Sequence, residues 1–347
     1  MIEGDAVMKF NDEKKQSIIL YILEKIEQND DRISNAVAQA FDVNQNTVHT
    51  YINELVDNDV IRRVKRGKYE LIKKQYEYTL QRSKGELDTD TYAYEHCLFD
   101  YVKKYGQNIE AIWSYAFSEM INNVMDHSQA ENVKIIIEQD YLNTNVAILD
   151  DGIGIFKKIK DYFGFNTLEE AISELFKGKL TTDVENHSGE GIFFSSKLMD
   201  DFLIVSSGRI FTNNKYDNSR IIDLADTNIE GTGVYMSLSN FSHKNPQDVF
   251  DLYANIDGGF IKTKIPLKNI FDTSPVSRSQ AKRVCNRLEK FKEVVIDFEG
   301  VQWMGQGFAH QIFVIFSREH PDIQLIPINM NEDITKMYVH VMGEVGR

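Results

Sequence analysis

The sequence predicts a mixed α/β (α+β) chain built from three consecutive parts. Three observations carry this. Amphipathic helical patterns followed by a short basic hairpin occupy residues 1–74; helices mixed with short apolar strands occupy 85–243; strand and helix alternate regularly over 245–347. A length of 347 residues, 42% of them hydrophobic and 27% charged, suits two or three globular domains.

In the first part, residues 12–28 place Ile18, Ile19, Ile22, Leu23 and Ile26 on one helical face. Ser34–Phe41 and Asn46–Asp57 read as two further helices joined by a turn at Asp42 and Val43. Two strand-like pieces follow, separated by a basic turn at Lys65–Lys68. In the second part, Thr91–Tyr105 and Asn108–His127 read as helices. "NVKIIIEQDYLNTNVAILD" reads as two apolar strands around a polar turn, and so as an antiparallel hairpin. "DFLIVSSG", "SRIIDLAD" and "TGVYMSLSN" supply further strands, and "KGKLTTDVENHSGEG" reads as a long polar loop of the kind that forms lids. The third part alternates strand (Phe260–Pro266), helix (Arg278–Phe291), strand (Val294–Phe298), helix (Gly307–Arg318), strand (Ile323–Asn329) and helix (Glu332–Met342).

Composition excludes several functions. No run approaches the roughly 18 uncharged apolar residues that span a bilayer. The first ten residues, with Glu3 and Asp5, lack the apolar core of a signal peptide. The two cysteines, Cys97 and Cys285, form no CxxC pair, which argues against a zinc site or disulfide framework and fits a reduced cytoplasmic setting. A net charge of −14 argues against wholesale wrapping of nucleic acid but leaves room for a local basic patch.

The chemistry-bearing residues lie in the central part. Glu119, Asn123 and His127 are four apart and share a helical face. In "AILDDGIGI" an apolar strand stops at Asp150 and Asp151, with Gly152 and Gly154 just beyond. A tight turn is the plain explanation of that stretch alone. After the long loop, Gly189 and Gly191 open the apolar helix "IFFSSKLM", and "GTG" at Gly231–Gly233 leads into a strand.

Taken in order, E-x-x-x-N on a helix, D-x-G-x-G at a strand end, a lid, G-x-G before a helix and GTG before a strand resemble the GHKL superfamily of ATPases and kinases. That superfamily includes gyrase, MutL, sensor histidine kinases and anti-sigma-factor kinases. The resemblance covers nearly all of 85–243 and implies a Bergerat-type α/β sandwich that binds ATP with Mg²⁺. It implies that Asp150 accepts a hydrogen bond from the adenine amino group, and that Gly152 and Gly154 keep the backbone clear beside the nucleotide. It implies that Asn123 binds Mg²⁺ through its side-chain oxygen and that Glu119 is the general base. Backbone amides from His187 through Ser188, Gly189, Glu190 and Gly191 would cradle phosphates at a helix N-terminus, and Thr232 would support Asp150. Lys177 and Lys179 could assist from the loop, although lysines in a polar loop are more often simply solvated. Asp151 is given no ligand role.

The first part resembles a winged helix-turn-helix. Its second helix would offer Gln45, Asn46, Thr47, His49, Thr50 and Asn53 to duplex DNA, and its wing Arg62, Arg63, Lys65, Arg66 and Lys68 to phosphates. The reading helix contains no Arg or Lys, so a module used only for protein contacts stays open. The third part, with "EVVIDFEGVQWMGQGFAHQIF", resembles the STAS-like fold of anti-sigma-factor antagonists, in which a serine after the central strand is phosphorylated. Here Met304–Phe308 contains no hydroxyl, which puts phosphorylation at that loop in doubt and leaves docking of a protein partner, or homodimerisation. None of the eight histidines is followed by an acid, against a sensor histidine kinase. Three functions follow: a cytoplasmic ATP-dependent regulator with slow hydrolysis, for which transcription regulation is one setting; a protein serine/threonine kinase acting on a separate partner; or a DNA-binding protein that senses ATP without turnover. The resemblance to the gyrase and MutL branch, in which the domain after the ATPase supplies a lysine to the γ-phosphate, implies Lys262 or Lys264, in "FIKTKIPLK", for that contact, against the simpler reading of solvated lysines at a sheet edge.

Overall fold

Helix α1 (Ile2–Glu27), α2 (Ile33–Phe41) and α3 (Gln45–Asp57) form because their apolar side chains recur at helical spacing. Ile18, Ile22, Ile26, Val37, Val48 and Ile52 meet in one cluster with at most 3% of each exposed. α2 ends at Asp42, whose backbone turns left-handed at φ 50°. α3 begins at Asn44, whose side chain accepts the Asn46 N–H and satisfies one of the donors a helix start leaves free. β1 (Ile61–Lys65) and β2 (Lys68–Leu71) pair antiparallel, with Ile61 turned into the cluster and Arg62–Lys65 exposed.

The computed structural model describes residues 2–179, 189–212, 231–254, 259–271 and 273–344, with side chains from Asp12 onward. The strand expected at "SRIIDLAD" and most of the expected loop, Leu180–Ser188, lie outside the described residues. Chain contacts divide the molecule into two compact units, one comprising 1–77, 136–145 and 238–241 and the other 78–135, 146–237 and 242–347.

Beyond the basic hairpin comes β3 (Lys74–Gln81), a strand absent from the sequence reading. Then follow α4 (Asp90–Cys97), α5 (Phe99–Val102), α6 (Gln107–Asn123), β4 (Asn132–Gln139) and β5 (Asn143–Asp150). The single helix expected over Thr91–Tyr105 is broken at Leu98 into α4 and α5. α7 (Ile155–Phe163), α8 (Leu168–Leu175), α9 (Gly191–Leu198), β6 (Asp201–Ser206), β7 (Arg209–Thr212) and β8 (Thr232–Ser239) complete the central region. Its sheet runs in the order β3-β4-β5-β8-β6-β7, with β6 antiparallel to both β7 and β8. β4 and β5 alternate buried and less buried residues, the period-two signature of a strand with one face on a core.

The C-terminal region comprises α10 (Pro246–Asp251), β9 (Lys262–Pro266), α11 (Leu267–Ile270), α12 (Arg278–Cys285), β10 (Glu293–Asp297), α13 (Gln306–His310), α14 (Ser317–Glu319), β11 (Gln324–Ile328) and α15 (Glu332–Glu344). β10 is central and parallel to β9 and β11, as expected when each strand returns through a helix. Ser277 and Gln280 close a reciprocal capping box at the start of α12. α12 is shorter than the sequence suggests: it stops at Cys285, and Arg287 turns left-handed at φ 61°. Between α13 and α14 the chain passes through a π-helical stretch, Gln311–Phe316. Among the described residues, no helix is long and apolar enough to cross a membrane.

Candidate functional site

α6 positions the first residues of the site. Ile112, Trp113, Ala116, Phe117, Met120 and Ile121 fix one face of the helix in the core. Glu119 and Asn123 are thereby half-buried beside that face and line a cavity of about 280 Å³. The α-helix ends at Asn123 rather than at His127, and a π-helical turn, Val124–Ser128, follows. Single π-helical turns of this kind are frequent at functional sites. His127 and Ser128 line the same cavity.

Asp150 ends β5 at 7% exposure. Its Oδ1 accepts the Gly152 N–H at 2.8 Å, and Thr232 hydrogen-bonds to it. Burial nevertheless pushes the carboxyl above the usual range, against the pull of those bonds. Thr232 has a second task, because its Oγ1 accepts the Ile155 N–H at 3.0 Å and so ties β8 to the start of α7. Asp151, by contrast, is exposed and accepts from the Glu131 N–H, the Asn132 N–H and the Asn132 side chain at 2.9, 3.0 and 2.7 Å. Despite some desolvation, those bonds hold it below the usual carboxylate range; it fastens the ends of the β4–β5 hairpin.

The glycines divide by task. Gly154 has φ +81°, a conformation other residues adopt only with strain, and it lines the cavity. Gly191 opens α9 and lines the cavity too; a side chain there would collide with the Glu119 carboxylate. Gly152 does not line the cavity: a side chain on it would run into the Ser128 backbone, so its smallness serves packing against the π-helical turn.

Of the residues singled out in the sequence, the structure brings Glu119, Asn123, Asp150, Gly154, Gly189, Gly191 and Thr232 to one cavity. Glu190 precedes α9 and stands beside the cavity without lining it. Burial first, and then the charges of Glu119 and Glu190, raise the Tyr115 hydroxyl, which places both carboxylates near that ring. His187 and Ser188 lie outside the described residues. Lys177 and Lys179 do not line the cavity. Lys177 is 1% exposed, and Lys179 lies over the rings of Phe260 and Phe291. Lys262 and Lys264 are also directed elsewhere, pairing with Glu293 at 3.3 Å and Asp297 at 2.8 Å.

Sequence reading missed Lys158. It lines the cavity from α7, and its Nζ donates to the His127 carbonyl at 2.9 Å. The available signal was its position three residues after Ile155 on one helical face. The rest of the wall is apolar, with Met120, Ile159, Leu175, Ile192, Phe193 and Val234 standing between the polar groups. The arrangement therefore offers a buried hydrogen-bond acceptor at one strand end. It also offers a carboxylate, an amide and the first-turn N–H groups of α9, which are suited to an anion.

Among the described residues, no group of three or more His, Cys, Asp or Glu could hold a metal ion. A single amide oxygen fits Mg²⁺ only if phosphate oxygens and water complete its octahedron.

Comparison with known proteins bears on the C-terminal region. Residues 280–335 match the STAS-like domain of unknown function (DUF4325). The match runs from within α12 to the start of α15 and includes β10 and β11. Among curated proteins, none matches this chain.

Proposed function

We propose that the cavity binds ATP with Mg²⁺, turns it over slowly, and thereby controls a DNA- or protein-binding output of the same chain. The observation that carries this reading is the buried Asp150 carboxylate. It is fixed by Gly152 and Thr232 at one side of a cavity that also contains Glu119, Asn123 and the start of α9. A carboxylate so far from water needs donors, and an exocyclic amino group supplies one. Asn123 would hold Mg²⁺ together with phosphate oxygens; the ion supplies neutralisation of phosphate charge. Glu119 would orient the attacking water and take its proton, and the α9 amides would receive the phosphates.

Incubation of the full chain with γ-labelled ATP and Mg²⁺, following free phosphate and protein label together, tests this. Free phosphate without protein label supports the regulator. Label on an added partner selects a serine/threonine kinase, and tight binding with neither product selects an ATP sensor. Absence of binding removes the nucleotide reading.

Duplex DNA is proposed as the ligand of the N-terminal module. α3 exposes Asn46, His49, Thr50 and Asn53, while Val48, Ile52 and Leu55 hold its opposite face. Arg63, Lys65 and Arg66 are exposed on the hairpin. Arg62 and Lys68 are each bonded at 2.8 Å, to Glu70 and Asp31 respectively, which reduces the charge free for phosphates.

A further inference from the structure

The C-terminal region grips the wall of the cavity through a buried charge cluster. Leu175 and Gly178 line the cavity, and between them Lys177 turns its side chain away from it. The Lys177 ammonium donates to Glu174 Oε1 at 2.6 Å, to the Asn286 carbonyl at 2.6 Å and to the Arg283 carbonyl at 3.0 Å. Three donors meet three acceptors, so the ammonium is saturated. Both carbonyls belong to the end of α12, where a helix leaves carbonyls unpaired and its dipole favours a cation. Glu174, 2% exposed, also accepts from Asn286 Nδ2 at 3.2 Å and faces Arg287 Nε at 3.5 Å. Arg287 in turn donates to the Lys179 carbonyl at 3.0 Å, and the Thr263 hydroxyl of β9 donates to the Lys177 carbonyl at 2.7 Å.

Stability is a poor explanation for this cluster. Desolvating an ammonium and a carboxylate can cost more than their mutual attraction returns, and apolar side chains of equal volume often fill such a space at no loss. Burial depresses the Lys177 ammonium despite Glu174 beside it. What the cluster supplies is register, because a slip of Glu174–Lys179 along the end of α12 would leave buried donors and acceptors unpaired. The wall beside Gly178 is held as well. Phe193 lines the cavity, and with Phe194 it belongs to the apolar core of the C-terminal region, their rings 4.8 and 5.1 Å from Phe260.

We infer that Glu174, Lys177 and the end of α12 form a latch through which the C-terminal domain and the occupancy of the cavity regulate each other. The inference rests on the nucleotide reading of the cavity. A ligand that presses on Leu175, Gly178 and Phe193 tightens or releases the grip on α12, and by reciprocity whatever binds the C-terminal domain alters affinity in the cavity.

Hydrogen exchange of the full chain, with and without Mg²⁺ and a non-hydrolysable ATP analogue, tests the latch. In the parent, the analogue is expected to change exchange at 146–158 and also, by about tenfold, at 278–290, within the usual range of coupling between sites. In Glu174→Gln/Lys177→Met, which removes both charges but keeps the volume, the change at 146–158 should persist and that at 278–290 should vanish. Arg287→Gly provides a second variant that spares the buried pair and suits φ 61°. It should reduce the distant response in a chain that circular dichroism shows to be folded. A response at 146–158 alone in the parent, or an undiminished distant response in both variants, overturns the latch and leaves the nucleotide reading intact. No response at 146–158 in the parent removes the nucleotide reading and the latch with it.

Discussion

Replacing Asp150 by Asn separates binding from stability at the residue on which the nucleotide reading depends. The parent carboxylate accepts from the Gly152 N–H and from Thr232, and is 7% exposed. Asn can keep the bond from Gly152, but its NH₂ group would face either Thr232 or the ligand amino group, donor against donor. Loss of a charge-assisted bond to the ligand is worth about 1.5–3 kcal/mol, roughly a ten- to hundredfold weaker affinity. The fold should not suffer equally, because the substitution removes a charge that burial disfavours. The pH dependence gives a second signature. Asp150 is raised in the folded chain, so its contribution to stability is fully present below the ordinary carboxylate value and is lost as pH rises through the higher native value. The substituted amide cannot titrate, and thermal melts of the variant should lack this component. Nucleotide affinity runs the other way in the parent, rising as the carboxylate ionises. Calorimetric titration of both proteins with an ATP analogue and Mg²⁺ across that range is the assay. Equal affinities in two folded proteins would refute the placement of the ligand against Asp150.

Glu119→Ala should still bind nucleotide but lose turnover by about a hundredfold or more, as removal of a base does; phosphate release at the parent rate would end that assignment. Asn123→Ala should bind the analogue with no gain on adding Mg²⁺, which calorimetry with and without the ion decides. DNA affinity, where present, should fall steeply with salt, and Arg63→Ala, Lys65→Ala and Arg66→Ala together should flatten the log–log slope by about 2.7; an unchanged slope would remove the hairpin from the interface. Lys262→Met and Lys264→Met should each release phosphate at the parent rate, since both side chains are paired with carboxylates and neither lines the cavity.

The parts of the fold that read directly from sequence are those with a local cause. Alternation in "NVKIIIEQ" and "NTNVAILD" specifies two strands, and the parallel strand–helix order near the C-terminus follows from apolar runs such as "EVVID" between amphipathic helices. Asp150 could be suspected from its place at a strand end next to two glycines. Long-range causes were not legible. Lys177 sits in "FKGKL", which reads as a solvated loop, yet its carbonyl partners are 106 and 109 residues further along the chain. The π-helical turn at Val124–Ser128 leaves no compositional trace either, since inserting one residue into a helical turn needs no particular side chain. Gly152 looked like a residue cleared for a ligand, and only its approach to the Ser128 backbone reveals a packing role.

The loop after β10 narrows what the C-terminal region can do. Met304–Phe308 lacks a hydroxyl, and the geometry gives a reason beyond composition. A side chain at Gly305 would lie 2.6 Å from the Val276 carbonyl oxygen and 2.7 Å from its Cα, both backbone atoms. Serine therefore does not fit there without moving the 275–276 backbone, which is itself bonded to this loop through the Gly305 N–H and the Pro275 carbonyl at 2.9 Å. Asp297, at the end of β10, is equally committed. It is largely desolvated, yet Lys264, Asn329 and the Glu299 N–H together hold it below the usual carboxylate range, and they occupy three of the roughly four acceptor sites of the carboxylate. With Gly305 closed to a side chain and the Asp297 carboxylate already engaged, that position of the loop makes a poor phosphoacceptor site. The same region contributes the end of α12 to Lys177 and Phe260 to Phe193. Contact with the cavity wall, rather than chemistry at its own loop, is what the geometry offers this region in the function proposed for the chain.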